Sequence, residues 1–294
     1  MTIQPDTLPI ILAVLSAFLF ALSIQIQNLG LQFADPKTAT LVSISTTAFV
    51  YWLISPLYLE SAYILTTGTL LFAVVGLFRP ALSQYLAVLG IKTLGPSLTS
   101  GLAATTPLFA AGFAILMLDE NITLSIALGT GAVVSGVIMA SLKSGSLKRG
   151  WPLWAILFPI GAAFFRALGH PLTMIGMETA PNALYPGLVA YTVSSFVAFT
   201  AYKVQGQKFP KMNKGYVYFS LAGLISGLSI YSLNSALQMG ELLTVAPVVA
   251  CSPMFAMALG FFVFKRETIT WRTVGTIGLI VLGIILVILG DKWI

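Results

Sequence analysis

The amino-acid sequence predicts an all-α integral membrane protein, with ten transmembrane helices that form two inverted five-helix repeats around a central cavity. Three observations support this prediction. First, the 294 residues are 57% hydrophobic and only 8% charged, whereas soluble domains carry about 25% charged residues. Second, apolar runs long enough to cross a bilayer recur along the chain between short polar breaks. Third, the two halves of the chain resemble each other.

Ten apolar runs account for almost the whole chain. A transmembrane helix needs about 20 apolar residues, because each residue adds about 1.5 Å and the hydrocarbon core is about 30 Å thick. The predicted spans are residues 8–31, 38–59, 68–89, 96–118, 122–142, 151–174, 183–202, 216–237, 242–264 and 271–289. The connections between them are too short for a soluble domain. Residues 1–9 lack the basic segment of a signal peptide, so we expect the first span to be retained.

The basic residues predict the orientation of the chain in the membrane. Of the 15 lysines and arginines, Arg79 and Arg166 fall inside spans, and Lys292 alone falls in the loops of one face. All the others fall in the loops of the opposite face. Because cytoplasmic loops are enriched in Lys and Arg, both termini are predicted to be periplasmic. The net charge of +6 is spread over short loops, so it indicates membrane orientation rather than nucleic-acid binding.

The two halves align over long stretches. Residues 82–110 match residues 228–256 at a constant spacing, which pairs Tyr85 with Tyr231. Further along, the sequence DENIT in the first half matches RETIT in the second half. Matches of this kind, kept over whole spans, indicate an internal repeat.

The repeat predicts two units of five helices each, residues 1–147 and 148–294. Because five is an odd number, the second unit must enter the membrane from the opposite side, which gives an inverted-topology repeat. Transporters built from inverted repeats bind substrate between the repeats, near the middle of the membrane, and alternate access around that site.

The sixth span carries the most informative charge. Arg166 lies near the middle of this apolar run, where insertion of an arginine costs about 2.5 to 3.5 kcal/mol. That cost predicts that Arg166 faces water, a partner or a ligand inside a helix bundle. Pro159, Ala163, Arg166 and His170 follow helical spacing and share one face. We interpret this face as part of the wall of the central cavity.

The first span carries an equivalent stripe. Ser16, Phe20, Ser23 and Gln27 recur at the same helical spacing and match the stripe of the sixth span between the repeats. Two stripes related by pseudo-symmetry are expected to line one shared cavity.

A second arginine lies inside the third span. Arg79 has Ser83 one turn later on the same face, and neither Arg79 nor Arg166 has an acidic residue within its own span. The two guanidinium groups therefore need backbone carbonyls and water, or the anionic group of a substrate such as an amino-acid carboxylate. Two structural alternatives remain, in which each arginine braces neighbouring helices or extends to a membrane interface.

Aromatic and polar side chains are further candidates for substrate contact. The aromatic candidates are predicted either to form a wall that binds an apolar side chain of the substrate or to pack in the protein core. They are Tyr85, Tyr231, Phe20, Phe164 and Phe165. The polar candidates of the fourth, eighth and ninth spans bind substrate or bridge helices. They are Thr105, Thr106, Asn234, Gln238 and Ser252.

Two prolines occupy equivalent positions in the fourth and ninth spans. Pro107 and Pro253 each remove one helix hydrogen bond, which frees the carbonyl of Ala103 or Val249. The two prolines are predicted either to act as hinges during gating or to impose static kinks that shape the cavity.

The sequence argues against several other functions. All nine acidic residues lie at or near span ends, which disfavours a proton-coupled exporter of cationic drugs. His170 is the only mid-span group that titrates near neutral pH, and one histidine with one cysteine forms neither a metal site nor a disulfide. No phosphate-binding loop or nucleophile with a base is present, so neither an enzyme nor a cofactor is predicted. Facilitated transport down a gradient is the simplest mechanism.

Four motifs resemble those of a known family. TTPLFA in the fourth span and CSPMFA in the ninth are centred on proline, while DENIT and RETIT lead into glycine-bearing fifth and tenth spans. Together with the two five-helix units, these motifs resemble the EamA-type branch of the drug/metabolite transporter superfamily over the whole chain. Members with this layout are bacterial inner-membrane permeases, and many export amino acids and related metabolites. In that family the first, third, fourth, sixth, eighth and ninth helices surround the substrate cavity.

The resemblance implies a multi-pass permease of the bacterial inner membrane that exports small metabolites, amino acids first among them. We expect it to act as a monomer by alternating access, with a small-molecule substrate and the lipid bilayer as its partners. One alternative is an anion-metabolite exchanger of the sugar-phosphate type. Another, from a different class, is a membrane scaffold that transports nothing.

Overall fold

The computed structural model describes residues 7–94, 99, 102–141, 152–204, 211–263 and 271–289. Within these ranges the chain is helical and holds no strand. The α-helices are α1 Leu8–Gly30, α2 Pro36–Tyr58, α3 Thr67–Phe78, α4 Ala81–Leu94, α5 Thr106–Leu118, α6 Leu124–Ser141, α7 Leu157–Thr179, α8 Leu184–Val204, α9 Lys214–Met239, α10 Leu242–Val249, α11 Ser252–Phe262 and α12 Trp271–Leu289. Short 3₁₀ helices at Ser61–Leu65 and Leu153–Ile156 precede α3 and α7.

The described part of the chain contains seven helical stretches that are long and apolar enough to cross a membrane. They are Leu8–Gly30, Pro36–Tyr58, Thr67–Ala87, Leu153–Thr179, Leu184–Val204, Lys214–Met239 and Leu242–Phe262. Three shorter apolar helices accompany them, at Thr106–Leu118, Leu124–Met139 and Val274–Ile288. The prediction of an all-helical membrane protein is confirmed at this level, while the count of ten spans and the inversion of the repeats stay predictions.

Polar caps begin α2 and α9. The Asp35 carboxylate accepts hydrogen bonds from the N–H groups of Lys37 and Thr38 at 2.9 and 3.1 Å. Partial burial raises the pKa of Asp35, but these bonds and one from the Thr38 hydroxyl outweigh burial, so the net shift is downward. The Asn213 side chain accepts from the Gly215 N–H at 2.8 Å. Each cap satisfies N–H groups that have no partner inside the first turn of a helix.

The third predicted span, residues 68–89, is not one continuous helix. It divides into α3 and α4, with Arg79 and Pro80 between them. Proline has no N–H group to donate, so the ladder of helix hydrogen bonds is interrupted here. The break places Arg79 at the end of α3 rather than along the side of a helix. The region still counts among the stretches long enough to cross a membrane, at Thr67–Ala87, but its helix is interrupted at Arg79 and Pro80.

The ninth predicted span, residues 242–264, also divides. α10 ends at Val249, and α11 begins at Ser252 with Pro253 in its first turn. Pro107 likewise lies in the first turn of α5. Proline is tolerated there because the N–H group that it lacks would have no partner within the helix. Both predicted hinge residues thus stand at helix starts, and their movement stays a prediction.

Helix α7 lies at the centre of the described helices. It packs against α3, α4 and α5, and it also contacts α8 and α9. α9 packs along α1 and α2, while α8 packs against α2 and α3. α6 and α12 pair closely with each other, since a Cβ on Gly129 would lie only 2.6 Å from the Gly283 carbonyl oxygen. Close approach through small residues is typical of helices in membranes.

Glu120 joins the two matching halves of the chain at the end of α5. Its two carboxylate oxygens accept hydrogen bonds from the N–H groups of Leu242 and Leu243, each at 2.7 Å. Burial raises the pKa of Glu120, the two N–H bonds lower it, and the nearby charge of Glu241 raises it, with a net shift upward. The carboxylate of one half therefore caps the first helix turn of α10 in the other half.

Candidate functional site

The candidate site is built around the break between α3 and α4. Arg79 follows α3, and its N–H donates to the Val75 carbonyl at 2.8 Å. Ser194, on α8, holds the two sides of the break together. Its hydroxyl donates to the Gly76 carbonyl at 2.6 Å and accepts from the Ala81 N–H at 3.5 Å. Because Ser194 is fully buried, these contacts fix the backbone on both sides of Arg79.

The Arg79 side chain lies against α7. A Cβ placed on Gly169 would come within 2.9 Å of the Arg79 Cδ, so the glycine leaves the space that this side chain occupies. The Arg79 Nη1 donates to the His170 Nδ1 at 3.4 Å. Since a guanidinium group only donates, the His170 Nδ1 must accept, and the imidazole is neutral with its proton on Nε2. The structure thus brings together two residues that the sequence predicted.

Arg166 lies one turn before His170 on α7. Arg79 contacts His170, which is one helical turn from Arg166, so the two arginines flank the same histidine. Both arginines keep part of their surface exposed, while His170 is only 8% exposed. All nine acidic residues of the sequence lie at or near span ends. The charge of this cluster therefore comes from the two arginines.

A small cavity adjoins Arg79. Its volume is about 20 Å³, which holds roughly one water molecule. It is lined by Val75, Arg79, Thr173, Pro186, Gly187, Ala190, Tyr191, Ile230 and Asn234. These residues come from α3, α7, α8 and α9, so both halves of the chain contribute to the cavity. In this conformation the cavity is too small for a metabolite.

Polar groups around the cavity bond largely to the backbone. The Thr173 hydroxyl donates to the Gly169 carbonyl at 2.6 Å, and the Asn234 Nδ2 donates to the Ala183 carbonyl at 3.0 Å. Tyr191 shares a hydrogen bond with a serine side chain of α9. Asn234, which the sequence predicted as a site residue, lines the same cavity as Arg79.

The predicted stripe on the first helix serves helix packing. α1 packs along α9, and the Ser23 hydroxyl donates to the Ala222 carbonyl at 2.8 Å. The Gln27 Nε2 donates to the Ser43 hydroxyl of α2 at 3.3 Å. Phe20 is partly buried on the same helix. Ser23 and Gln27 bond to α9 and α2 and do not line the cavity beside Arg79, and their contact with a substrate stays a prediction.

Other predicted contacts are bonded locally or half-exposed. The hydroxyls of Ser83 and Thr105 each donate to the carbonyl three residues earlier in the chain, at 3.0 and 2.7 Å. Tyr85 and Tyr231 are 49% and 45% exposed. A role in substrate contact for these four residues stays a prediction.

The carbonyl that Pro107 frees has a partner. The Thr106 hydroxyl donates to the Ala103 carbonyl at 2.7 Å. A side-chain hydroxyl thus replaces the backbone donor that proline lacks, and no buried carbonyl is left unbonded at this position.

Phe164 and Phe165 belong to an aromatic cluster between helices. Phe164 packs edge-on against two phenylalanines of α5, with ring centroids 5.7 and 5.4 Å apart. Phe165 packs against Phe78 at 5.6 Å. Phe78 and Phe165 directly precede the two arginines in the chain, so this cluster joins α3, α5 and α7 beside the charged groups. Its contact with a substrate stays a prediction.

Sequence reasoning missed four residues of the site, Gly169, Thr173, Tyr191 and Ser194. A signal for three of them was present in the sequence. Thr173 continues the polar stripe of the sixth span beyond His170, and Tyr191 and Ser194 lie about one turn apart on one face of the seventh span. The role of Gly169 depends on the position of a side chain from another helix, which no local pattern reveals.

Comparisons with known proteins bear on the fold. The model of the EamA-like transporter family matches residues 7–142 and, a second time, residues 153–289. No curated protein matches the chain. One solved structure, described as a crystal structure of a protein, superposes with a TM-score of 0.75 over 96% of this chain and 95% of its own, at 14% sequence identity. At that identity the likeness concerns the fold alone.

Proposed function

Because the chain belongs to the EamA-like transporter family, we propose that it carries small metabolites, amino acids first among them, across the membrane by alternating access. Family membership makes the protein a membrane transporter of small molecules. We propose that the two matched segments are inverted repeats, as the odd number of predicted helices requires. Transporters of that architecture place the substrate site between their repeats.

The observation that supports this proposal best is the contact of Arg79 with His170, beside Arg166. Arg79 belongs to the first matched segment, whereas His170 and Arg166 belong to the second. A substrate bound at this point would therefore contact both segments and couple the conformation of one to that of the other. A guanidinium group binds a carboxylate through two parallel hydrogen bonds. The carboxylate of an amino acid is the group that we propose to be bound.

Alternating access requires the site to open to each side in turn. The small volume of the cavity beside Arg79 fits a step of the cycle in which no substrate is bound. We propose that the helix break after α3 and the helix starts at Pro107 and Pro253 absorb the movement, because few helix hydrogen bonds cross these points. Flux down a substrate gradient, without a coupled ion, is the simplest mechanism for this set of residues.

The distribution of basic loops supports a proposed orientation. We propose that the protein lies in the bacterial inner membrane with both termini in the periplasm, because the loops rich in lysine and arginine stay in the cytoplasm. Transport would then run outward from the cytoplasm. All residues of the proposed site come from one chain, so a monomer is the proposed functional unit.

Flux through reconstituted protein tests the proposal. Liposomes that contain the purified chain and are loaded with unlabelled amino acids should accumulate labelled amino acids by exchange. Arg166→Ala should reduce the initial rate at least about tenfold, since a hydrogen bond to a charged group contributes about 1.5 to 3 kcal/mol. Lys214→Ala removes a charge at the start of α9, outside the site, and should transport like the wild type.

Two outcomes would contradict the proposal. Full transport by Arg166→Ala would remove the assigned role of this residue. The absence of flux for every solute in a broad panel would favour the alternative of a membrane scaffold. A pH gradient across the liposomes should leave the rate unchanged if transport is facilitated, whereas a clear acceleration would indicate proton coupling.

A further inference from the structure

We infer that the site selects substrates with a net negative charge, such as acidic amino acids and other organic anions, over zwitterions. This inference rests on the proposed function, because it names the substrate class of the same site. It follows from the charge of the cluster, the protonation of its histidine and the balance of hydrogen-bond donors and acceptors around the cavity.

The cluster holds two positive charges. Arg79 contacts His170, and Arg166 lies one helical turn before His170 on α7. Arginine stays protonated in proteins. Every acidic residue of the sequence lies at or near a span end, so the chain supplies no carboxylate inside a span. Charged groups within a bundle are normally paired with each other or with a ligand. A ligand with a net negative charge offsets the charge of this pair, whereas an amino-acid zwitterion has no net charge to offset it.

The histidine adds to the donors of the site. His170 accepts from Arg79 at Nδ1, which leaves its Nε2–H as the remaining polar group of the ring. A neutral imidazole in this tautomer offers no acceptor to a substrate ammonium. It does offer a third type of N–H donor to a carboxylate or a phosphate.

Acceptors around the cavity are few by comparison. Each guanidinium group carries five N–H donors and no acceptor. The Thr173 hydroxyl and the Asn234 amide already use donors on backbone carbonyls, so they offer at most a hydroxyl lone pair and an amide oxygen. A substrate ammonium has three donors to satisfy and would also meet the repulsion of two guanidinium charges. An additional carboxylate or phosphate on the substrate would instead meet N–H donors.

Pairs of solutes with similar shape and different charge test the inference. Uptake of glutamate against glutamine, and of glycerol phosphate against glycerol, is measured in liposomes with the full chain at zero membrane potential. The anionic member of at least one pair should enter at least about tenfold faster at low concentration, because it gains charge-assisted hydrogen bonds. The pair that responds distinguishes a carboxylate from a phosphate as the preferred group.

Variants of Arg79 test whether the selectivity for anions arises at this site. Arg79→Gln lowers the charge of the site by one and should reduce the anion-to-neutral ratio at least about threefold. Arg79→Lys keeps the charge and should keep the preference for the anion at a lower rate, which separates charge from guanidinium geometry. Lys214→Gln removes an equal charge outside the site and should leave the ratio unchanged.

The outcomes separate this inference from the proposed function. Uptake of both neutral solutes, glutamine and glycerol, at rates equal to or above those of their anionic partners would overturn the inference and leave the transporter in place. A preference for the anion that Arg79→Gln leaves intact would also overturn it, because the selectivity would then arise elsewhere. Absence of flux for every solute would contradict the proposed function itself.

Discussion

The third span of the first half and its counterpart in the second half, α9, differ where the site is built. At the spacing that aligns the two halves, Arg79 matches Ile225 and Pro80 matches Ser226. The first-half segment is broken between α3 and α4, whereas α9 runs unbroken over Lys214–Met239. Pro80 has no N–H group, while Ser226 has one and lets the helix continue. The break and the charge therefore occur together in one half only.

A second matched pair shows the same contrast. The Ser83 hydroxyl bonds to the Pro80 carbonyl of its own segment at 3.0 Å, next to the break. The Ser229 hydroxyl instead donates to the Ser16 carbonyl at 2.8 Å and ties α9 to α1. Equivalent positions therefore bond beside the helix break in one half and tie two helices together in the other. A repeat in the sequence predicts where elements lie, but not which copy carries the chemistry.

Substitution of the matched pair Arg79 and Ile225 gives the largest expected difference. Arg79→Leu should reduce transport about a hundredfold, because the substrate loses charge-assisted hydrogen bonds worth about 2.7 kcal/mol or more. Ile225→Leu exchanges apolar side chains of equal volume and should stay within about twofold of the wild type. Initial rates in liposomes, corrected for the amount of inserted protein, measure both. Similar losses for the two variants would show that the halves contribute equally to the site.

Gly169 tests whether the position of the Arg79 side chain matters, apart from its charge. A methyl group on Gly169 would lie 2.9 Å from the Arg79 Cδ and must push this side chain away from α7. Gly169→Ala should therefore raise the KM for the substrate about tenfold. The stability should not fall in parallel, since alanine favours a helix over glycine by about 1 kcal/mol.

Gly161→Ala is the matched control on the same helix. Its nearest neighbour would be a leucine methyl group at 3.4 Å, an ordinary contact distance. This variant should transport with an unchanged KM. An equal rise in KM for both glycine variants would mean that α7 itself, rather than the position of the arginine, limits substrate binding.

Ser194 and Ser195 are neighbours on α8 with different hydrogen bonds. The Ser194 hydroxyl contacts both sides of the helix break, whereas the Ser195 hydroxyl donates only to the Tyr191 carbonyl of its own helix, at 2.7 Å. Ser194→Ala should lower the free energy of unfolding by about 1 kcal/mol, because it leaves a buried carbonyl without its side-chain donor. Ser195→Ala should change it by less than about 0.5 kcal/mol. Thermal unfolding in detergent measures both, and equal losses would contradict the assigned role of Ser194.

The helical fold class and the bounds of several helices could be predicted from the sequence, because the length and periodicity of an apolar run are local properties. The observed bounds of α1 and α12 differ from the predicted spans by at most one residue. The helix break after α3 was missed, although Pro80 marks it, because a proline inside an apolar run also fits a kinked continuous helix. The hydropathy of a run does not distinguish these two outcomes.

The sequence was enough to predict which charged and titratable residues belong to the candidate site. It was not enough to predict which partners the polar side chains contact. Arg79, Arg166 and His170 stand out because charged or titratable groups inside a span are expensive, which is a rule about single residues. The partners of Ser23 and Gln27 depend on which helices are neighbours, and that is a tertiary property. For the same reason the sequence pointed to the stripe on α1, whereas the cavity beside Arg79 is lined by residues of α3, α7, α8 and α9.

The smallest expected effect concerns Glu120. Its hydrogen bonds to Leu242 and Leu243 connect the two halves of the chain at a place separate from the arginine cluster. Because the pKa of Glu120 is raised above its usual value of 4.5, folding favours the protonated carboxyl. Its contribution to stability is thus complete below about pH 4.5 and falls as the pH rises through the raised value. The loss should stay below about 1 kcal/mol, since the carboxyl is only half-buried.

Glu120→Gln has no charge to titrate, so the Tm advantage of the wild type over this variant should shrink from pH 4 to pH 8. Glu241→Gln removes the neighbouring charge that raises the pKa of Glu120, and it should make this decline smaller. An advantage that grows with pH would instead mean that the N–H groups of Leu242 and Leu243 stabilise the carboxylate by more than burial destabilises it. In that case the two halves would be joined by a charged cap at this end as well as by the arginine cluster at the site.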